Sequence, residues 1–167
     1  MAITIRMNGL DRHSVRNAIN QLKEFQTDYD TKMQEVCERL AHLGEATASV
    51  EFAQAEYDGT NDVSVVAEPF GNGWRVRASG NAVLFIEFGS GATKGYGHPE
   101  PQGYGPGTYP GKGHWNDPKG WVYGGIGSGK NRKPLRSFGN RPAAAMYHAE
   151  QDIRAEIERV VSEVFGQ

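Results

Sequence analysis

Between residues 11 and 57 apolar side chains recur in steps of three and four: Val15, Ile19, Leu22, Phe25, Tyr29, Met33, Val36, Leu40, Leu43, Thr47 and Val50, then Ala53 or Gln54. That spacing draws one stripe along a long amphipathic helix. Asp11 stands where it can cap the helix, and Gly44 marks a kink or a break into two helices. A helix this long outreaches one small sheet, so a second helix or a neighbouring subunit must bury part of its stripe. Ahead of it, Ile3 and Ile5 alternate with polar residues as a short strand or an arm, closed by the turn signal Asn8-Gly9.

After a turn at residues 58–62 the period changes. Runs at 63–68, 74–78 and 82–88 read as strands joined by the hairpin-like connections 69–73 and 79–81. Trp74, Val76 and Ala78 alternate with Arg75 and Arg77, so one face is apolar and the other basic. The two arginines read as solvent-facing or as lining the contact face of a ring. Val83, Phe85, Ile86 and Phe88 suit a third strand of an antiparallel meander, and Gly89 and Gly91 then release the backbone. Glu87 reads either as an edge or solvent-facing carboxylate or as one held beside a basic loop, its own or a neighbour's.

Residues 89–139 hold 15 of the 22 glycines and follow neither period. They also hold Tyr96, Tyr104, Tyr109, Trp115, Trp121 and Tyr123. A loop of this length needs a reason. Its rings read as anchors that order it against its own sheet, a neighbouring subunit or a partner. Asn140-Arg141-Pro142 opens the last helix, with Asn140 or Arg141 near the cap and Pro142 in the first turn. Its stripe is Met146, Ala149, Ile153, Ile157, Val160 or Val161, and Val164, and Gly166 stops it. The expected fold is therefore α+β in a single domain. A long N-terminal helix (11–57) and a C-terminal helix (140–165) pack on a small antiparallel β-meander (60–88). A long Gly/aromatic-rich loop (89–139) joins the last strand to the last helix.

Charge changes this picture in one place. The chain of 167 residues has a formal net charge of -2, so bulk charge points to no polyanion partner. Yet residues 89–141 carry eight Lys/Arg against only Glu100 and Asp117, while both helical regions are net acidic. Each copy could thus offer both signs to its neighbours, which suits head-to-tail self-association. The single Cys37 permits no disulfide within the chain, which fits a reducing compartment, and it reads as a small core residue. The N-terminus lacks the basic-then-apolar pattern of a signal peptide and no run approaches membrane-spanning length, so synthesis in a cytoplasm without membrane partners is expected.

The candidate chemistry is thin. Residues 124–131 approach a P-loop, but Asn131 replaces the magnesium-binding hydroxyl and Pro134 forbids an immediate helix. His98, His114 and Asp117 support a second reading, a metal-assisted hydrolase, although their spacing matches no zinc scheme and loop histidines are usually surface residues. The basic, aromatic loop supports a third, a single-stranded nucleic-acid-binding module. No cofactor and no sequence-specific nucleic acid are expected.

The ordered pieces resemble a tailed-phage morphogenesis family, the gp10-like head–tail joining or tail-component proteins named for phage HK97. The long helix comes first, then Phe85-Ile86-Glu87-Phe88-Gly89-Ser90-Gly91, similar to the family's apolar-Glu-Phe-Gly-Thr-Gly pattern with Ser90 in the threonine position. Gly105 to Trp115 and Gly120-Trp121-Val122-Tyr123 are similar to a glycine/aromatic insertion of several members. Asn140-Arg141-Pro142-Ala143-Ala144-Ala145-Met146-Tyr147 is similar to the opening of the family's final helix, with Arg141 inserted. The resemblance implies a structural virion protein rather than an enzyme. Such a protein forms a ring at the neck or tail end, as a head–tail joining, tail-completion or tail-terminator subunit. It would be made in the bacterial cytoplasm and carried in the virion. Its partners would be copies of itself, head-closure or connector proteins and the tail-tube protein. On this reading Tyr109, Trp115, Trp121 and Tyr123 anchor the loop on a neighbour. Lys112, Lys119, Lys130 and Arg136 meet acidic patches, and Glu87 belongs to the same interaction set.

Overall fold

A computed structural model describes residues 4–9, 11–91, 94–100, 118–123 and 135–166. Its elements are α1 (Arg12–Gln54), β1 (Ser64–Phe70), β2 (Gly73–Ser79), α2 (Val83–Phe88), β3 (Trp121–Tyr123), β4 (Leu135–Ser137) and α3 (Ala145–Phe165). The fold is α+β, with a long N-terminal helix, a C-terminal helix and small antiparallel sheets. Residues 4–9 carry no strand.

Asp11 starts α1 as its residue type suggests, its carboxylate accepting from the N–H groups of His13 at 3.0 Å and Ser14 at 3.2 Å. α3 lies antiparallel to the second half of α1. Paired side chains mark the register: Glu51 with His148, Thr47 with Asp152, and Arg39 with Glu163. Val36, Val160 and Val164 form one apolar cluster between the helices, and Ala48, Phe52, Ala145 and Ala149 belong to another that includes Ile86. Burying a side chain the size of Phe52 or Ile86 contributes about 1.5–3 kcal/mol.

Gly44 is no break, because α1 is continuous across it. A Cβ there would lie 2.6 Å from Ile153 Cδ1 and 3.1 Å from Val76 Cγ2. The glycine therefore lets α3 and β2 both approach α1 closely. The buried face in this half runs through Ala41, Gly44, Ala48 and Phe52, and Val50 of the expected stripe is exposed.

β1 and β2 pair antiparallel, with Val65 opposite Ala78 and Ala67 opposite Val76 on the half-buried side. Arg75 and Arg77 are on the exposed side, where both reach Glu68. Their hydrogen bonds, then their charge, hold the Glu68 carboxyl below the usual range.

The expected third strand is α2, a helix. Ile86 and Glu87 are adjacent and both buried, at 0 % and 4 % exposure. A strand would send them to opposite faces, whereas a helix keeps both on the side where α1 and α3 meet. The cause is Asp62, whose carboxylate accepts from Asn81 N–H (2.9 Å), Asn81 Nδ2 (2.8 Å) and Ala82 N–H (2.9 Å). These bonds turn the chain away from β2 before a third strand can pair. A short apolar run does not by itself distinguish strand from helix. A second hairpin, absent from the expectation, joins Trp121–Tyr123 to Leu135–Ser137 within the 89–139 segment.

The backbone N–H groups of Asn81 and Ala82 and the Asn81 amide lower the Asp62 carboxyl below its ordinary value. A depressed carboxyl adds stability above the ordinary aspartate pKa of about 3.9 and loses it as pH falls through the depressed value. Asp62→Asn should therefore lower the melting temperature at pH 7 and flatten its decline below about pH 4, as read by circular dichroism across pH.

Candidate functional site

α3 begins without a capping side chain of its own. Its N-cap residue is Ala144, in the left-handed region at φ 52°. Asn140, Arg141 and Pro142 precede the helix and do not start it, because each of the residues around them is held elsewhere. Ala143 N–H donates to Ile86 O at 2.8 Å and Ala144 N–H to Glu87 O at 3.1 Å, so the chain first docks on the C-terminal carbonyls of α2. Only then does α3 start, and Glu87 closes its end. The carboxylate accepts from Met146 N–H at 3.0 Å and Tyr147 N–H at 3.3 Å. Those are the second and third helical positions, which an N-cap Ser or Asp ordinarily serves. A carboxylate there also meets the positive end of the helix dipole.

Glu87 is thus neither an edge-strand residue nor a solvent-facing one. The part of the basic loop beside it is its own. His98 Nε2 lies 3.2 Å from Glu87 Oε1, and His98 Nδ1 accepts from Glu100 N–H at 3.0 Å. With Nδ1 accepting, the ring proton is on Nε2 and points at the carboxylate. The imidazole is 6 % exposed and packs on Phe88, centroids 4.6 Å apart, and edge-on to Tyr147 at 6.1 Å. His98 is therefore a buried pin for residues 94–100, not a surface histidine. His114 and Asp117, the other members of the expected metal set, lie outside the described residues. Among the described residues no group of three His, Cys, Asp or Glu side chains is placed to hold a metal ion.

A second set of bonds ties the same junction from the other side. Ser90 and Asn140 form an antiparallel bridge, and Ser90 Oγ donates to Asn140 Oδ1 at 2.6 Å. Asn140 Nδ2 donates to Phe85 O at 2.8 Å and Arg141 O at 3.1 Å. Two glycines permit this closeness. Gly139 (φ 85°) sits where a Cβ would collide with Ser90 O, and a Cβ on Gly89 (φ 75°) would be 2.7 Å from Pro142 N. A cleft of about 360 Å³ opens beside the junction, lined by Glu87, Phe88, His98, Glu100, Tyr147 and Glu150 among others.

Of the remaining expected interaction residues, Arg136 and Lys119 meet each other. Arg136 donates to the Lys119 carbonyl through Nε (3.2 Å) and Nη2 (2.8 Å), and its guanidinium lies 5.6 Å from the Phe138 ring centroid. Arg136 is therefore engaged within its own chain, bracing the second hairpin. Trp121 and Tyr123 contribute backbone to β3. Tyr109, Lys112, Trp115 and Lys130 lie outside the described residues. Cys37 is a half-buried free thiol on α1. No helix of the described residues is long and apolar enough to cross a membrane.

No family model, curated protein or solved structure matches this chain. The resemblance to the phage family rests on the motifs, and the structure adds where those motifs lie. The residues that sequence reasoning missed are Asp62, Ser90, Asn140 and His98 in the roles just described. One signal was present for the helix start: the run Ala143-Ala144-Ala145 offers no capping side chain, and Glu87 is the lone carboxylate in its segment.

Glu87→Ala strips Met146, Tyr147 and His98 of their acceptor, and a buried donor left unsatisfied costs about 1–3 kcal/mol. Glu87→Gln keeps a carbonyl oxygen for the helix end and should lose distinctly less. Urea denaturation midpoints of the two variants against the parent measure the difference.

Proposed function

We propose that this chain is a structural subunit of a tailed-bacteriophage particle, acting in virion assembly as a ring-forming protein at the head–tail junction or tail terminus. The observation that carries this reading is the interlock of two of the segments on which the resemblance rests. Residues 85–91 and 139–147 are about fifty positions apart, yet Glu87 caps the helix that the second segment opens, and Asn140 bonds back to Ser90 and Phe85. The most distinctive polar side chains of both segments are spent on ordering the chain. That supports a structural role for these two segments.

The same interlock gives the proposed role a mechanism. The bridge between Ser90 and Asn140 clamps the two ends of the 89–139 segment together on the α2–α3 junction. A segment held so at both ends is presented from a fixed base, which lowers the ordering cost when its rings and lysines meet a neighbour. Tyr109, Lys112, Trp115 and Lys130 would make those contacts, with copies of this chain, the tail-tube protein or a connector protein. The particle, not the cytoplasm where the chain is made, is then its working location.

Antibodies raised against the purified chain test this reading on phage particles from its source. Gold label should fall at one position, where head meets tail or at the end of the tail. Label spread over the capsid or along the tail, or particles that lack the protein, would contradict it.

A further inference from the structure

The long helix is longer than the body on which it packs. Tyr29 meets Phe165, ring centroids 5.6 Å apart, at the last residue of α3. Residues 12–28 continue past that point for about 25 Å at 1.5 Å per residue. The arm is covered only in part: Ala18 is buried and Val15 half-buried, whereas Ile19 and Leu22 remain 47 % and 53 % exposed. The arm continues a helix already nucleated and packed, and its exposed apolar side chains would gain from a covering surface.

Charge says what that surface is. The outer part of the arm, residues 12–23, carries Arg12, Arg16 and Lys23 and no Asp or Glu; Glu24 and Asp28 follow nearer the body, where Asp28 pairs with Lys32. All three are exposed, and among the described residues none forms an ion pair. α3 has the opposite sign, with five carboxylates against Arg154 and Arg159. Its outer face exposes Ile157 at 42 %. The neighbouring Glu158 has no cation partner among the described residues.

Building on the ring reading above, we infer that the basic arm of one copy docks on the outer face of α3 of the next copy. Ile19 and Leu22 meet Ile157, and Arg12, Arg16 and Lys23 face Glu158 and its acidic neighbours. The alternative of two arms pairing antiparallel is poorer: with Leu22 opposite Leu22, Arg16 reaches Asp28 but Arg12 meets Lys32. Arm and receptor are different surfaces, so a copy can receive one arm while it donates its own; repeated in one direction, the contact propagates from copy to copy and closes into a ring where the rotation allows.

Cross-linking tests the contact. In a Cys37→Ser background, one protein carries Asn20→Cys on the arm and another Ser162→Cys on α3. A short bis-maleimide should join them in the mixture as a mixed dimer, with much less product from either protein alone. Adding Leu22→Glu to the arm protein should cut that yield about ten-fold, an effect of about 1.4 kcal/mol, with helicity by circular dichroism unchanged. Raised salt should cut it too, since exposed charges are screened beyond about 8–10 Å. Self-linking of the Asn20→Cys protein as the main product, a mixture that gives no link at any concentration, or an intrachain product at high dilution from a single chain carrying both cysteines would each overturn the inference. A failed link with gold label still at the neck removes this docking surface alone. A strong link in a protein absent from particles removes the phage reading and leaves the docking surface.

Discussion

The start of α3 depends on a carboxylate that is not its own. Ala144 has no side chain with which to cap, and Glu87 supplies the acceptor from 59 and 60 positions away. Losing a capping group costs about 0.5–2 kcal/mol, a large share of the 5–15 kcal/mol by which a domain is held folded. The rest of the junction follows from delivering that carboxylate. α2 must be helical so that Ile86 enters the core while Glu87 faces α3. Asp62 must turn the chain to begin α2. Gly89 and Gly139 must admit the close approach of two backbones, and His98 covers the carboxylate from outside.

This constraint also divides the chain by function. α1, α3 and the β1–β2 hairpin form a body held by apolar packing, with ion pairs such as Arg39–Glu163 on its surface. The junction mounted on that body clamps both ends of the 89–139 segment. The body itself leaves the first turns of α1 projecting. In the proposed assembly the clamped segment and the arm are two distinct surfaces, the first belonging to the phage reading and the second to the docking inferred between copies.

Much of the body was legible in the sequence. The threes-and-fours spacing locates α1 and α3, Asp11 announces the N-cap, and the alternation around Trp74 locates β2 with its basic outer face. The misses have physical causes. In the second half of α1 the contact face is built from Ala41, Gly44 and Ala48, which a stripe of large apolar residues overlooks. Gly44 reads as a break in sequence and works as a close-packing site. The run 83–88 is rich in strand-favouring residues, but tertiary bonds from Asp62 override that preference. Asn140 and Pro142 look like a helix start, yet Asn140 is bonded to Ser90 and Phe85 and the helix waits for Glu87. None of these long-range bonds leaves a local pattern. In sequence His98 reads as a loop histidine, because its partner is eleven residues away on a run that reads as a strand.

The central claim is that the Glu87 carboxylate holds the first turn of α3, and NMR can observe that bond directly. An amide proton held by an acceptor exchanges slowly with solvent, whereas the first N–H groups of an uncapped helix exchange fast. In NMR-detected hydrogen exchange at neutral pH, the Met146 and Tyr147 amides should be protected in the parent chain and lose that protection in Glu87→Ala, while amides in the middle of α3 keep theirs. Met146 and Tyr147 amides that exchange equally fast in both proteins would contradict the account, and the start of α3 would need another cap.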